Sequence, residues 1–338
     1  MSGDSHIRIA VDAMGGDHAP ENVVAGAIEA LRETHNRFEI LFVGSEPAVK
    51  KELTRYQQNG LSYHIVDAPQ VVDMHDAAIA AVKHKRDSSI NVGVTLHKEG
   101  KADAFVSAGH SGAVMSTSTV ILGRVEGVSR PTIGAFFPTE RGVSLILDAG
   151  ASVDCKPRHL YEFAVMGSIY INKMLGVENP SVGLLNIGEE PSKGNDVAME
   201  AYKLLKESKL NFIGNLEGRD ILKGKAYVVV CDGFVGNIVL KFAESIPSFI
   251  KNRLREYFNQ NLWMQFIGLS MTKTLRSAFK GLDYEEHGGV PVLGVNGVSI
   301  IGHGKSTPKA IKNMILRAEE MVKKKIHFHI QEALASSR

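Results

Sequence analysis

Short apolar segments alternate with longer amphipathic segments along most of this chain. The short segments are rich in β-branched residues, as buried strands are. The predicted strands are Ile7–Val11, Ile40–Val43, Tyr63–Val66, Ala104–Val106, Thr132–Phe136, Ser144–Leu147, Val182–Leu185, Asn211–Ile213, Tyr227–Val230 and Val298–Ile301. The predicted helices include Glu21–Thr34, Pro47–Gln57, Asp76–Lys85, Ser89–Glu99, Ser111–Leu122, Arg158–Leu175 and Asn195–Lys206. This alternation predicts a parallel or mixed sheet with helices on both faces.

Glycine-rich turns follow many of the predicted strands. They span Asp12–Pro20, Ser107–Ala113, Asp148–Pro157, Asn186–Asp196, Cys231–Asn237 and Gly302–Pro308. A single turn of this kind is weak evidence, because glycine closes many connections between a strand and a helix. Ligands of such folds bind beyond the carboxyl ends of the strands. We therefore expect these turns to line one cleft.

The turn after Val106 has the features of an anion site. A predicted strand ends there, small residues follow, and an apolar run that can form a helix begins at Ser111. Small side chains let backbone N–H groups approach an anion, and a helix start presents unpaired donors with a partial positive charge. The spacing matches neither a dinucleotide fingerprint nor a Walker loop. The predicted phosphate-binding residues here are Ser107, Gly109, His110, Ser111 and Gly112.

The other turns supply charged and polar side chains to the predicted cleft. Lys193 and Lys305 provide cations for a compact dianion, and His303 and Asn237 provide further donors. The predicted supporting residues are Asp12, Gly15, Gly16, Asp17, Asn186, Glu189, Glu190 and Asp232. Structural roles remain open: His110 and Asp12 can cap helices, the lysines can be solvated loop charges, and Asn237 can satisfy backbone groups.

Composition narrows the class of protein. The 338 residues are 44% hydrophobic and 22% charged, with a net charge of +2, which is ordinary for a globular domain and gives no general affinity for nucleic acid. We expect a reduced cytoplasmic protein, because Cys155 and Cys231 form no disulfide framework and no secretory signal or spanning segment is evident. No carboxylate cluster suits a metal, and no Gly-x-Ser-x-Gly motif is present. We expect no metal, no cofactor and no covalent catalysis.

A segment in the last third differs from the alternating pattern. We expect residues 246–282 to form a helical hairpin within a single domain of residues 1–338, with an apolar tip and basic stems. Such a hairpin can contact a membrane surface or an acidic partner protein, and a dimer interface or a core helix stays open. Its predicted contact residues are Lys251, Arg253, Arg255, Trp263, Phe266, Lys273 and Arg276.

The turn sequences, taken in order, resemble a known family. The motifs VDAMGGD, SAGHSGA, LDAGASVDCKP, LLNIGEEPSKGND, VCDGFVGNIVLK and GVNGVSIIGHGKS closely resemble those of the PlsX family of bacterial phosphate acyltransferases, over essentially the whole chain. The resemblance implies a three-layer α/β/α fold like those of phosphotransacetylase and isopropylmalate dehydrogenase. The family usually has Asn-Thr where this chain has His110-Ser111, and often a polar residue where Ile301-Gly302 precedes His303.

The resemblance also implies an activity and partners. The activity is the formation of acyl phosphate from acyl-ACP (acyl carrier protein) and inorganic phosphate, for phospholipid synthesis. The implied form is a homodimer, peripheral to the membrane, whose product a membrane glycerol-3-phosphate acyltransferase uses. Bound phosphate would attack the thioester directly, with Lys193 as a catalytic cation, Asn237 or His303 at the oxyanion, and His303 as acid. The alternatives are an NAD-dependent decarboxylating dehydrogenase and a non-catalytic anion- or membrane-binding scaffold on the same fold.

Overall fold

The structure is a computed structural model that describes residues 6–261, 263–268, 270–271, 274 and 288–335. Its strands are β1 (Ile7–Asp12), β2 (Phe38–Gly44), β3 (Tyr63–Asp67), β4 (Ala104–Ser107), β5 (Thr132–Ile133), β6 (Ala135–Thr139), β7 (Gly142–Leu147), β8 (Val182–Leu185), β9 (Phe212–Leu216), β10 (Val228–Val230), β11 (Val290–Leu293) and β12 (Ser299–Ile301). Its helices are α1 (Glu21–Glu33), α2 (Glu46–Leu53), α3 (Ala78–His84), α4 (Ser89–Lys98), α5 (Ser111–Thr117), α6 (Pro157–Leu175), α7 (Asp196–Lys206), α8 (Gly218–Ile221), α9 (Gly233–Phe258), α10 (Pro308–Lys323) and α11 (Ile326–Ala335).

These strands are divided between two sheets. The larger sheet has the order β3-β2-β1-β4-β12-β11-β5 and is parallel except at β11, which runs antiparallel to β12 and β5. The smaller sheet has the order β6-β7-β10-β8-β9 and is parallel except between β6 and β7. The prediction of a mostly parallel α/β fold is confirmed.

The chain passes from one sheet to the other at Gly134. The single strand predicted over Thr132–Phe136 is instead two strands, β5 in the larger sheet and β6 in the smaller one. A Cβ atom at Gly134 would lie 2.9 Å from side-chain atoms of both Leu145 and Leu147. The crossing therefore needs a residue without a side chain, and the apolar pattern around it does not reveal the break.

Continuous apolar strands place the core between the sheets and their helices. Parallel strands are buried on both faces, and Ile9, Ala10 and Val11 are accordingly at most 1% exposed. Helix starts after strand ends are fixed by side-chain caps: Asp232 Oδ1 accepts a 2.9 Å hydrogen bond from the Val235 N–H, and Thr307 Oγ1 one of 3.3 Å from the Ala310 N–H. These caps direct the first turns of α9 and α10 toward the strand ends.

Candidate active site

Three glycine-rich turns meet at the carboxyl ends of β1, β4 and β12. Register sets Val11 beside Val106 and Ile301 beside Ser107, so the residues after these strands are neighbours. The Gly302 N–H donates a 2.8 Å hydrogen bond to the Ser107 carbonyl, and the Asp17 N–H donates one of 2.7 Å to the Gly304 carbonyl. The turns thus form one connected rim, as predicted from their positions after strands.

Asp12 lies at the centre of this rim and is 1% exposed. Its carboxylate accepts a 2.6 Å hydrogen bond from Ser107 Oγ and a 3.1 Å hydrogen bond from the Met14 N–H. Burial raises the pKa of Asp12 above its ordinary value. The hydrogen bonds lower this pKa, but their effect is smaller than that of burial. Ser107 Oγ in turn accepts a 3.0 Å bond from the Gly109 N–H. Ser107 Oγ and the Gly109 N–H therefore shape the turn.

Glycine at position 15 is required by this packing. A Cβ atom on Gly15 would lie 2.5 Å from Asp12 Oδ2 and 2.7 Å from the Gly109 nitrogen. Any side chain there would separate the β1 turn from the β4 turn. Gly15 and Gly16 accordingly line a small cavity of about 180 Å³, together with Asp12 and His110.

The start of α5 faces the cleft. His110 occupies the N-cap position, and its Nδ1 accepts a 3.1 Å hydrogen bond from the Ala113 N–H. The capping role considered for His110 is thus present. Ser111 and Gly112 supply the first two N–H groups of the helix, which have no partner within a helix. Ser111 lines the larger cavity described next.

A larger cavity of about 400 Å³ lies between the ends of the two sheets. From the first sheet's turns it is lined by Asp17, Met74, Gly109, Ser111, His303 and Gly304. From the second sheet's side it is lined by Ala149, Gly150, Asn237, Leu240, Lys241 and Glu244. Asn237 and His303, predicted from turns far apart in sequence, therefore share one cavity with Ser111.

Asp148, at the end of β7, plays a part in the second sheet that matches that of Asp12 in the first. It is fully buried, and its Oδ1 accepts bonds of 3.1 and 3.0 Å from the Gly150 and Ala151 N–H groups. Burial raises its pKa above the ordinary value. A Cβ atom on Gly150 would lie 3.4 Å from the Asn237 side chain, so this turn backs Asn237. Sequence analysis placed Asp148 at the start of a predicted turn but assigned it no role, although the shared pattern of Asp-Ala after a buried strand was a usable signal.

Lys193 lies in the loop between β8 and α7, and this loop is braced by Asn186. Asn186 Nδ2 donates a 2.9 Å hydrogen bond to the Lys193 carbonyl, and Asn186 Oδ1 accepts a 2.8 Å hydrogen bond from the Ile187 N–H. The Lys193 side chain is exposed, with its stem beside Gly188. It is not among the described residues that line the larger cavity.

The remaining predicted turn residues have mostly structural partners. Glu189 forms an ion pair of 3.0 Å with Lys225, the Glu190 carbonyl accepts 2.9 Å from Asn215 Nδ2, and Asp232 caps α9. His303 Nδ1 accepts a 3.1 Å bond from the Lys305 N–H, while the Lys305 side chain is exposed. His303 thus joins the cavity, and Glu189 and Lys305 are not among the described lining residues.

Lys241 is a second cleft residue that sequence analysis missed. It lies one helical turn after Asn237 on α9, lines the same cavity, and forms a 3.2 Å ion pair with Glu244. Residues four apart on a helix share a face, so the position of Asn237 was a signal for it. The cavity therefore contains a cation and a carboxylate at its α9 side.

The basic segment considered as a hairpin is partly described. Lys251, Arg253 and Arg255 are on α9, which continues to Phe258. Trp263 and Phe266, 69% and 65% exposed, stack with ring centroids 6.1 Å apart. Lys273, Arg276 and the segment 275–287 lie outside the described residues.

The described residues offer no thiolate, metal cluster or membrane span. Burial raises the pKa of Cys155 to about 11 and that of Cys231 well above 9.0, so both thiols stay protonated near neutral pH. In the described part of the chain, no three His, Cys, Asp or Glu side chains are grouped to hold a metal ion. Nor does any helix there combine the length and apolarity needed to cross a membrane.

Comparison with known proteins gives consistent matches over nearly the whole chain. A family model described as "Fatty acid synthesis protein" matches residues 7–328. The phosphate acyltransferase of Chlorobaculum parvum is 48% identical over 338 residues, covering 97% of this chain and 99% of the relative. That of Chlorobaculum tepidum is 49% identical over 331 residues, covering 95% and 100%. In fold, the chain is similar to a phosphotransacetylase from Streptococcus pyogenes, with a TM-score of 0.62 and 19% identity over 94% of each chain.

Proposed function

The chain belongs to the phosphate acyltransferase family, and on this premise we propose that it transfers the fatty acyl group of acyl-ACP to inorganic phosphate. An acyltransferase that uses phosphate is favoured over a dehydrogenase or a scaffold without turnover. The observation that supports the proposal most is the 400 Å³ cavity, which joins a helix start with Ser111 to Asn237, His303 and an apolar wall. One cavity thus has groups suited to a dianion and to an acyl chain.

The phosphate lies, in this proposal, at the start of α5. The N–H groups of Ser111 and Gly112, the Ser111 hydroxyl and His303 are its donors. Lys193 and Lys305, exposed on their loops and not among the described residues that line the cavity, are assigned to the same anion as additional cations. Ser107 and Gly109 position this turn and do not contact the phosphate in this proposal, because the Ser107 hydroxyl bonds to Asp12 and the Gly109 N–H bonds to Ser107.

The reaction is a single displacement at the thioester carbonyl. A phosphate oxygen forms a bond to the carbonyl carbon, the carbon–sulfur bond breaks, and the carrier protein leaves as a thiolate. Phosphate is already anionic near neutral pH, so the site contributes mainly by holding the two substrates in line. Asn237 donates to the carbonyl oxygen as negative charge develops there, and His303 gives a proton to the departing thiolate. The protonated Cys155 and Cys231 fit a path without an acyl-enzyme.

The partners follow from the same proposal. Acyl-ACP is acidic, and Lys251, Arg253 and Arg255 on α9 give it a basic surface, with Trp263 and Phe266 beside a membrane. The protein acts as a cytoplasmic homodimer that associates peripherally with the membrane. There, a membrane glycerol-3-phosphate acyltransferase uses the acyl phosphate for phospholipid synthesis.

A hydroxylamine trap tests the proposed reaction. Purified protein is incubated with palmitoyl-ACP, with and without inorganic phosphate, and acyl hydroxamate is measured. We expect hydroxamate only when enzyme and phosphate are both present. The same yield of hydroxamate without phosphate would contradict phosphate as the acceptor. Binding of the carrier protein without any product would favour the non-catalytic scaffold.

A further inference from the structure

The larger cavity has an apolar wall that the phosphate chemistry does not use. Besides Ser111 and His303 it is lined by the apolar residues Ile133, Ala135, Phe136, Leu240, Val290 and Ile301. Four of these side chains, those of Ile133, Ala135, Phe136 and Ile301, are at most 8% exposed. The cavity thus combines hydrogen-bond donors with a hydrocarbon lining.

Most of this wall is rigidly backed. Phe136 lies against Tyr170, with ring centroids 5.8 Å apart, and the guanidinium of Arg317 stands 5.8 Å from the Phe136 ring. Gly134, next to it on the chain, already packs so closely on Leu145 and Leu147 that a Cβ atom would lie 2.9 Å from each. The wall formed by β5 and β6 therefore has little room to move back.

Leu240 contributes to the same wall from helix α9 and is only half-buried. It is on α9, three residues after Asn237 and one before Lys241, so it lies on the helix face that borders the cleft. Leu240 also packs, from its partly exposed position, against a cluster of buried residues that includes Ala149. A change of side-chain volume at this position alters the width of the apolar space.

We propose that the apolar wall is the binding site for the fatty acyl chain and that Leu240 is a residue that determines chain-length specificity. This inference rests on the proposed function, because it assigns the wall to the acyl substrate of that reaction. A volume of about 400 Å³ lies within the range of small-molecule sites, about 300–1,000 Å³. The chain lies along Phe136 and Leu240, and its carbonyl end reaches the donors near Ser111 and Asn237.

Alkyl phosphates test this assignment without turnover. They combine an anionic group with a saturated chain and cannot transfer an acyl group. Dissociation constants of butyl, hexyl and octyl phosphate are measured by calorimetry, below the concentrations at which they form micelles. For the unchanged protein we expect affinity to rise by about fourfold per buried methylene, the factor that burial of one methylene provides.

The variants Leu240→Trp and Leu240→Ala change the width of the wall in opposite directions. Leu240→Trp should remove most of the gain from butyl to octyl phosphate, while Leu240→Ala should bring a smaller loss. Leu222→Trp is the matched control, since Leu222 is 48% exposed and is not among the residues lining the cavity. It should retain the full dependence on chain length.

Two results would overturn the inference. One is an affinity of the unchanged protein that does not depend on chain length. The other is a chain-length dependence that Leu240→Trp leaves as in Leu222→Trp. Either result, together with phosphate-dependent hydroxamate formation, would remove the acyl site and leave the proposed reaction intact. Chain-length-dependent binding without hydroxamate would instead keep the site and contradict the reaction.

Discussion

A buried carboxyl group at the end of β1 organises the turns around the proposed phosphate. Asp12 joins Ser107 and Met14 by hydrogen bonds and requires glycine at position 15. Its location after a strand was predictable, and so was a structural role for it. Its burial was not, because a sequence does not show which strand ends are covered by neighbouring turns.

Asp12→Asn should change the pH dependence of stability. The pKa of Asp12 is raised above 3.8 by burial, so the folded state holds this proton more tightly than the unfolded state. The stability that this proton on Asp12 contributes to the folded state is fully present below pH 3.8. It is lost as the pH rises through the pKa of Asp12 in the folded state. The melting temperature of the variant should therefore improve relative to the unchanged protein as the pH rises from 3.8 through the folded pKa of Asp12.

Thermal unfolding at several pH values measures this difference. Asp154→Asn is the control, because Asp154 is exposed and Arg130 donates to its backbone carbonyl, which the substitution keeps. A difference between Asp12→Asn and the unchanged protein that is constant with pH would contradict the raised pKa.

Asn237→Ala should reduce kcat more than it changes KM for phosphate. Its side chain lies in the cavity against the Gly150 turn, where we place the carbonyl oxygen. Loss of one donor to a developing oxyanion costs about 10²- to 10³-fold in kcat. Steady-state kinetics with Asn179→Ala as the exposed control measures it. A rise in KM for phosphate with kcat unchanged would contradict this role and indicate that Asn237 binds the phosphate.

Lys193→Ala tests a role that the cavity alone does not establish. If Lys193 reaches the phosphate from its loop, the substitution should remove about 1.4 kcal/mol of phosphate-binding free energy, which raises KM for phosphate about tenfold. Lys209→Ala, an exposed lysine beyond α7, is the control. An unchanged phosphate dependence in Lys193→Ala would exclude this residue from the site.

At the scale of elements, the hydrophobic pattern predicted most of the strands, because most are buried on both faces, but it missed β11 (Val290–Leu293). It could not predict the division at Gly134, which depends on the packing of β7 behind it. The charged sequence at the end of the chain, residues 322–338, predicts a solvated terminal helix, and this prediction is wrong. In the structure, Ile326, Ile330 and Leu334 of α11 are each 1% exposed and belong to the core.

The basic face of α9 carries a prediction of its own. Changing Lys251, Arg253 and Arg255 together to glutamine should weaken binding to acyl carrier protein or to anionic vesicles by about fivefold per charge, since a basic residue near an anionic surface provides about 1 kcal/mol. Both affinities are measured at low and physiological salt. If neither changes, this surface is not the docking site.

A matched set of exposed basic residues keeps that experiment specific. Lys203 and Lys206 are exposed on α7, and Lys209 is exposed just beyond it. Their joint change to glutamine lowers the net charge by the same amount. The α7 variant should bind both ligands like the unchanged protein, so a loss of binding caused by net charge alone would appear in both variants.

For the whole molecule, the site depends on two sheets that meet. The first supplies Ser111 and His303, the second supplies Asn237, and the apolar wall comes from both. Sequence analysis placed the turn residues at strand ends and identified the family from their motifs. It could not show which side chains share a cavity, so it missed Lys241 and Leu240 and grouped Lys193 with residues that line it.

The central claim is direct transfer of the acyl group to phosphate, and a single-turnover experiment tests it most directly. Enzyme in excess is mixed with palmitoyl-ACP, and the free thiol of the carrier protein is followed with and without inorganic phosphate. The account predicts thiol release only with phosphate, equal in amount to the acyl phosphate formed. Release of the thiol without phosphate, leaving the acyl group on the protein, would contradict it.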